Sequence, residues 1–204
     1  MDHADHVYLI QNAIPTPGGV WADLGSGQGA FTLALEDLLG PGSEIYSVDR
    51  DAGALRSQRR AMEARFPAVS VHYLVADFTA PLDLPPLDGL VMANSLHFVR
   101  DKAPTVRRLS ALLHPGGRWV LVEYNADRGN RWVPYPLSFD SWRDLAGRCG
   151  LARRPGHDRP TAPHLAASLP LCHQRRPVGG LAGRAHRLGG GPGGSGSRSV
   201  AGSR

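Results

Sequence analysis

Lysine is nearly missing from this 204-residue sequence: Lys102 is the only one, and arginine supplies every other cationic side chain of fixed charge. So strong a choice of arginine is what GC-rich coding produces. Cysteine is scarce as well. Cys149 and Cys172 lie far apart with no metal-ligand spacing, so a zinc or CxxC redox site is excluded and a reducing cytoplasm is the expected setting. No apolar run is long enough to span a bilayer. The first ten residues, MDHADHVYLI, lack a basic stretch followed by an apolar one, so no signal peptide is expected. What is present is 42% apolar and 20% charged residues, the balance of a soluble globular protein with room for one core.

The net charge of +5 is unevenly spread. Residues 151–204 hold nine Arg and one acid, Asp158, whereas residues 1–150 hold more acids than bases. The basic character belongs to the tail.

The first 150 residues alternate between two periods. Short apolar runs at 19–24, 44–48, 69–75, 87–93 and 118–124 read as strands, and the fourth (LDGLVMA) is apolar enough to be buried on both faces. Helical patterns follow the first, second and fourth runs and close the domain near 139–149. Examples are Phe31, Leu35, Leu38 and Leu39 on one face, and Leu55, Met62 and Phe66 after an Asp51 cap. Residues 114–117 (HPGG) read as a turn, with His114 structural. Strand and helix alternating five times predicts an α/β fold, doubly wound around a mostly parallel sheet. Ligands of such sheets sit outside the carboxyl ends of the strands.

The first run ends in Asp23-Leu24-Gly25-Ser26-Gly27-Gln28-Gly29. Glycines let the backbone turn and approach a ligand closely, and the helix that follows offers free N–H groups to an anion. The loop alone leaves two readings open. Gly25, Gly27 and Ala30 satisfy G-x-G-x-x-A with Asp49 about 20 residues on, which also suits a dinucleotide.

Read as a whole, residues 5–150 resemble the class I S-adenosylmethionine (SAM)-dependent methyltransferases, with a Rossmann-like sheet. The D-L-G-S-G-Q-G segment is similar to their D/E-x-G-x-G-x-G motif, and residues 113–118 (LHPGGR) to their L-x-P-G-G turn. The resemblance implies that Asp23, Gly25, Ser26, Gly27 and Gly29 hold the methionine end of SAM. Asp49, with Arg50 beside it, would meet the ribose hydroxyls, and Asp77 and Phe78 the adenine. Asn94 begins the segment beside the sulfonium. Each residue also has a plainer reading: Asp49 as a turn former, Asp77 as a solvated loop acid, Asn94 and Ser95 as strand-end hydrogen-bonders. No residue is assigned a catalytic role. Glu123, Tyr124 and His97 are the candidates for a base should the acceptor lose a proton, and a packing role for His97 is equally open. Residues 123–136 can form a lid, with Trp132 and Tyr135 either lining an acceptor pocket or anchoring a long connection. A small-molecule acceptor is the default. An NAD(P)-dependent oxidoreductase, a nucleic-acid methyltransferase with a basic RNA-binding tail, and a remnant without activity are the alternatives.

Residues 151–204 contain no Phe, Tyr, Trp, Ile, Met or Glu, and are rich in Gly and Pro. The expectation is a tail that packs no core, following a domain that ends at residue 150. The family's usual pair of C-terminal strands is not readable there, because Pro155, Pro160, Pro163, Pro170 and Pro177 interrupt the segment. Two readings of this abrupt shift in composition stay open: a reading-frame change near 150–155, and a genuine Arg/Gly-rich arm for nucleic acid. Re-reading the gene in its other frames tests the first.

Overall fold

A computed structural model of the chain describes residues 1–66 and 70–151, together with the backbone of 164–170. The first element is α1 (His3–Ile10), which has no counterpart among the sequence expectations. A reciprocal cap forms it: Asp2 Oδ1 accepts from the Asp5 backbone N–H and Asp5 Oδ2 from that of Asp2, both at 2.9 Å. Then follow β1 (Val20–Leu24), α2 (Ala30–Leu39), β2 (Glu44–Asp49), α3 (Ala52–Arg65), β3 (Ser70–Val75), β4 (Leu87–Ala93), α4 (Lys102–Ser110), β5 (Leu113–Tyr124), α5 (Phe139–Arg148) and β6 (His164–Pro170). The Asp51 cap is in place, its Oδ1 accepting from Gly53 N at 2.7 Å and Ala54 N at 3.1 Å.

The six strands form one sheet in the order β3-β2-β1-β4-β5-β6. The first five run parallel, and β6 is antiparallel to β5. Alternate residues of each strand face opposite layers. Trp21, Val91, Val120 and Val122 pack with Ile10 of α1 and Phe31 and Leu35 of α2. Ala22, Leu90, Met92, Trp119 and Leu121 pack with Val106 and Leu109 of α4 and Trp142 and Leu145 of α5. The indoles of Trp119 and Trp142 meet at 5.7 Å between centroids, both fully buried. Burial of each such large apolar side chain stabilises the fold by roughly 1.5–3 kcal/mol. Opposite Trp21 in the register stands Gly89, where a Cβ would lie 2.3 Å from the indole ring. The absent side chain is what lets this tryptophan lie across the neighbouring strand.

No helix joins β3 to β4, in keeping with the sequence: residues 76–86 carry Pro81, Pro85 and Pro86, which cannot sustain helical hydrogen bonding. Two details differ from the sequence expectation. Residues 114–117 are not a free turn ahead of β5 but a bulge within it. Leu87 pairs with Leu113, and the next partner of β4, Gly89, pairs with Arg118. Pro115 offers no N–H, and Gly116 takes a left-handed φ of 85°, so the ladder is interrupted there. Finally, β6 lies beyond residue 150, in the stretch expected to pair with nothing. Pro163 precedes the strand and Pro170 is its last residue, opposite Arg118, so no proline interrupts it and His164–Pro170 pair along Arg118–Tyr124 of β5. The outer edge of β5 is therefore paired. The second of the family's C-terminal strands, the rest of the tail and the frame-change reading fall outside the described residues.

The chain leaves β1 for β2 and β3 on one side and returns to β4 on the other. The reversal opens a crevice at the carboxyl ends of β1 and β4, where open α/β sheets take their ligands.

Candidate functional site

That crevice is a cleft of ≈ 500 Å³, within the range of small-molecule sites. Its near wall is the glycine loop. Gly25 N and Ser26 N both donate to Val48 O of β2, at 2.8 and 3.1 Å, which pins the loop to the neighbouring strand. Gly25 has a φ of 77°, and a Cβ there would stand 2.5 Å from Ser95 Cβ and 3.3 Å from the Phe78 ring. The loop can come this close to the cleft's far wall only without a side chain. Gly29, with a left-handed φ of 88°, is the N-cap of α2, whose first turn has no side-chain cap.

Asp49, at the end of β2, spans two loops. Its Oδ2 accepts from Gly27 N and its Oδ1 from Asp51 N, both at 2.8 Å. One carboxylate thus ties the glycine loop to the cap of α3. Arg50 lies beside it on the cleft wall. Across the cleft, Asp77 Oδ1 accepts from the Thr79 backbone N–H at 2.8 Å and hydroxyl at 2.7 Å. Those hydrogen bonds hold its carboxyl below the ordinary aspartate range, with Arg50 and Arg108 adding to the effect. Phe78 follows with its ring half-buried on the same wall.

The end of β4 supplies the far wall. Asn94 has a φ of 51°, the only left-handed conformation outside glycine among the described residues. Its backbone N–H reaches Val122 O at 2.8 Å, but its side-chain Oδ1 is buried without a hydrogen-bond partner. A buried acceptor left unmet beside a cleft is costly in the empty site and suits a ligand donor. Ser95 Oγ donates to Leu24 O at 2.9 Å and so locks the ends of β1 and β4 together.

Gly25, Asp49, Arg50, Asp77, Phe78 and Asn94 therefore share one cleft. The other four residues expected there stand behind its wall. Ser26 is engaged with Ser47 Oγ at 2.7 Å and Gln58 Oε1 at 3.3 Å. Gly27 meets Asp49, and Gly29 starts α2. Asp23 is 1% exposed and accepts from Thr32 Oγ1 at 2.6 Å. Ser95, Thr79, Phe98 and Val99 complete the wall without having been singled out as cofactor residues. The strand-end rule alone could have found Ser95; the other three carry no chemical signature.

Burial pushes the Asp23 carboxyl up to about 7, against the Thr32 hydrogen bond and with help from Asp49. The folded protein keeps a proton that the unfolded chain gives up near pH ~4. The stability this group contributes is complete below that pH and is lost as pH rises towards about 7. In urea titrations the wild type should lose stability between pH 5 and 7.5 relative to Asp23→Asn, which carries no such proton. Parallel pH profiles would show that Asp23 is ionised throughout.

Of the candidate bases, Glu123 and His97 form one buried unit. Glu123 Oε2 meets His97 Nδ1 at 2.7 Å, and Oε1 accepts from the His97 backbone N–H at 3.1 Å. Their side chains are 0% and 4% exposed. Both carboxylate oxygens are thus occupied with His97. Glu123 orients the imidazole, and Nε2 is the ring nitrogen left for other chemistry. Tyr124 stands 6.0 Å from the His97 ring and is half-exposed.

The segment 125–137 is fastened over this corner. Tyr135 N donates to His97 O at 3.0 Å. Lys102 Nζ donates to Val99 O at 2.8 Å and to Tyr135 O at 2.7 Å. Burial lowers the Lys102 pKa, opposed by the charge of Glu123. Val133 and Leu137 turn inward, whereas Trp132 is 78% exposed, so it neither lines the cleft nor anchors the connection.

Residues 22–119 match the family described as the methyltransferase domain. Over that stretch the chain is similar to the SAM-dependent methyltransferases. The domain is 30% identical over 104 residues to a ubiquinone/menaquinone biosynthesis C-methyltransferase of Pasteurella multocida, a match covering 50% of this chain and 39% of that one. It is 24% identical over 130 residues to a 2-phytyl-1,4-naphtoquinone methyltransferase of Trichormus variabilis, covering 62% and 54% respectively. The chain thus spans about half or less of the length of these curated relatives. Among solved structures, a SAM-dependent methyltransferase from Aquifex aeolicus superposes with a TM-score of 0.63 at 14% identity, covering 84% of this chain and 99% of that one. Mitomycin 7-O-methyltransferase superposes with a TM-score of 0.65 at 16% identity, covering 83% and 55%. At such identities the structural likeness is one of fold. SAM is the cofactor of the domain type.

Proposed function

We propose that the chain transfers a methyl group from SAM to a small organic acceptor. The observation that carries this reading is the meeting of Asp49, Asp77, Phe78 and the unpaired Asn94 carbonyl on one cleft at the sheet's switch point. In this reading Asp49 and Arg50 hold the ribose, Asp77 accepts from the adenine amine and Phe78 covers its ring. Asp23, Gly25, Ser26, Gly27 and Gly29 shape the loop at the methionine end, and Asn94 meets the ligand beside the reacting centre. When bound, SAM supplies an electrophilic methyl on a cationic sulfur. The protein's share is alignment and exclusion of water, and well-oriented reactants gain on the order of 7–11 kcal/mol from proximity. His97, oriented by Glu123, is buried and is not among the residues that line the cleft, so no residue is assigned as a base.

The relatives named for quinone methylation favour a ring-bearing acceptor. Among the described residues no helix is long and apolar enough to cross a membrane. Cytoplasmic location belongs to the same reading, with the domain extended beyond residue 150 to include β6. Isothermal titration of the full chain with S-adenosylhomocysteine and, separately, NAD tests it. Binding of the first alone is expected; binding of NAD alone sinks the proposal in favour of a dehydrogenase.

A further inference from the structure

Trp132 is the one described tryptophan that the fold does not bury: Trp21, Trp119 and Trp142 are at most 3% exposed, and Trp132 is 78% exposed. Its position is built, not loose. Asn130 Oδ1 accepts from Trp132 N at 2.8 Å and Val133 N at 2.9 Å, and Asn130 N donates to Val133 O at 3.0 Å. Gly129 lies so close beneath this turn that a Cβ would stand 2.2 Å from Pro134 O. Val133 is turned into the protein while the indole is held out of it. A closed turn that spends its hydrogen bonds on displaying an indole to solvent calls for something outside to receive it.

The surroundings indicate what. The large apolar side chains exposed on the segments that meet here, 94–101 and 124–137, are Phe98, Tyr124, Trp132 and Tyr135, with no large aliphatic among them. Arg131 lies 5.9 Å from the indole ring, exposed Arg128 precedes it on the same segment, and Arg100 lies two residues after Phe98. None of these three arginines has an ion pair among the described residues within 4 Å. The acids of the two segments are Asp101 and Asp127, besides buried Glu123. Asp127 is turned back to Ser138 N at 3.1 Å and Ser141 Oγ at 2.8 Å. Amphipathic rings with arginines at a projecting tip are the composition of a bilayer interface, where the indole sits at headgroup depth and the cations meet anionic phosphates.

We propose that the Trp132 turn docks the protein on the surface of an anionic lipid bilayer, with the carboxyl end of the sheet facing the membrane. This goes beyond the methyl-transfer reading and needs no cofactor for its test.

The test uses vesicles of phosphatidylcholine and phosphatidylglycerol whose acyl chains carry bromine, a contact quencher of tryptophan. Residues 151–204 contain no tryptophan and the other three are buried, so quenching reports on Trp132 alone. Quenching with a blue shift of the emission is expected on anionic vesicles. It should be absent in Trp132→Phe and require about 30-fold more lipid in the Arg128→Gln/Arg131→Gln double variant, at about fivefold per lost surface cation. All three side chains are exposed, so the variants keep the fold. Sedimentation with vesicles but no quenching would mean that the basic tail alone binds lipid, and overturns the proposal. So would the absence of any association, which leaves a protein partner or a second copy for the turn.

Discussion

Asp49→Ala is expected to weaken S-adenosylhomocysteine binding about 100-fold in titration calorimetry. The carboxylate is the single group that holds both the glycine loop, through Gly27 N, and the start of α3, through Asp51 N. Each hydrogen bond to a charged group is worth roughly 1.5–3 kcal/mol. Alanine removes both and any contact with the ribose, while leaving the core untouched because Asp49 lies at the rim. Asp49→Asn should fall between the two. An amide oxygen can satisfy one of the backbone donors, but the amide nitrogen then faces the other. Unchanged affinity in Asp49→Ala would mean that the loop holds its shape alone and that Asp49 serves only the turn.

The second large effect is on stability. Glu123→Ala leaves the His97 backbone N–H and Nδ1 without their shared partner in a site closed to water, and removes the negative charge facing Lys102. Breaking a buried pair from one side costs about 3–5 kcal/mol, a large part of the 5–15 kcal/mol by which domains are typically stable. Urea unfolding should show it as a lower midpoint with the slope unchanged. Glu123→Gln keeps the shape and one acceptor, so its loss should be smaller. If the two variants match wild type, the pair contributes nothing to the fold. A milder variant that folds normally but alters the pH profile of methyl transfer would separate orientation of His97 from structural support.

Both groups illustrate what a sequence can disclose. The central parallel strands were legible because strands buried on both faces read as apolar runs, the edge strand β3 because it is rich in β-branched and aromatic residues, and the Asp51 cap because its signal is local. Asp49, Asp77 and Phe78 were legible by position, since a parallel sheet brings every strand's carboxyl end to the same side. The His97–Glu123 pair was not: its members are 26 residues apart, and only the adjacency of β4 and β5 joins them. Asn94 could be named but not its left-handed backbone or its unpaired carbonyl. Asp23 looked like a ligand contact, yet its place on the inner face of β1 puts it under Thr32. In α1 the apolar period is too short to stand out, and the helix depends on two aspartates that read as ordinary surface charge. For β6, counting prolines misled, because none of them interrupts the strand.

The lone lysine has a consequence for anyone handling the protein. Lys102 Nζ is engaged with two carbonyl oxygens beneath the 125–137 segment, and the residue is 8% exposed. Reagents that acylate amines find no other side chain to attack. In the native state a dye or cross-linker of that type should attach at the chain's α-amino group in preference to Lys102. Acylation of Lys102 would report that the strap has opened, which makes mass-spectrometric footprinting of one residue a clock for motion over the site.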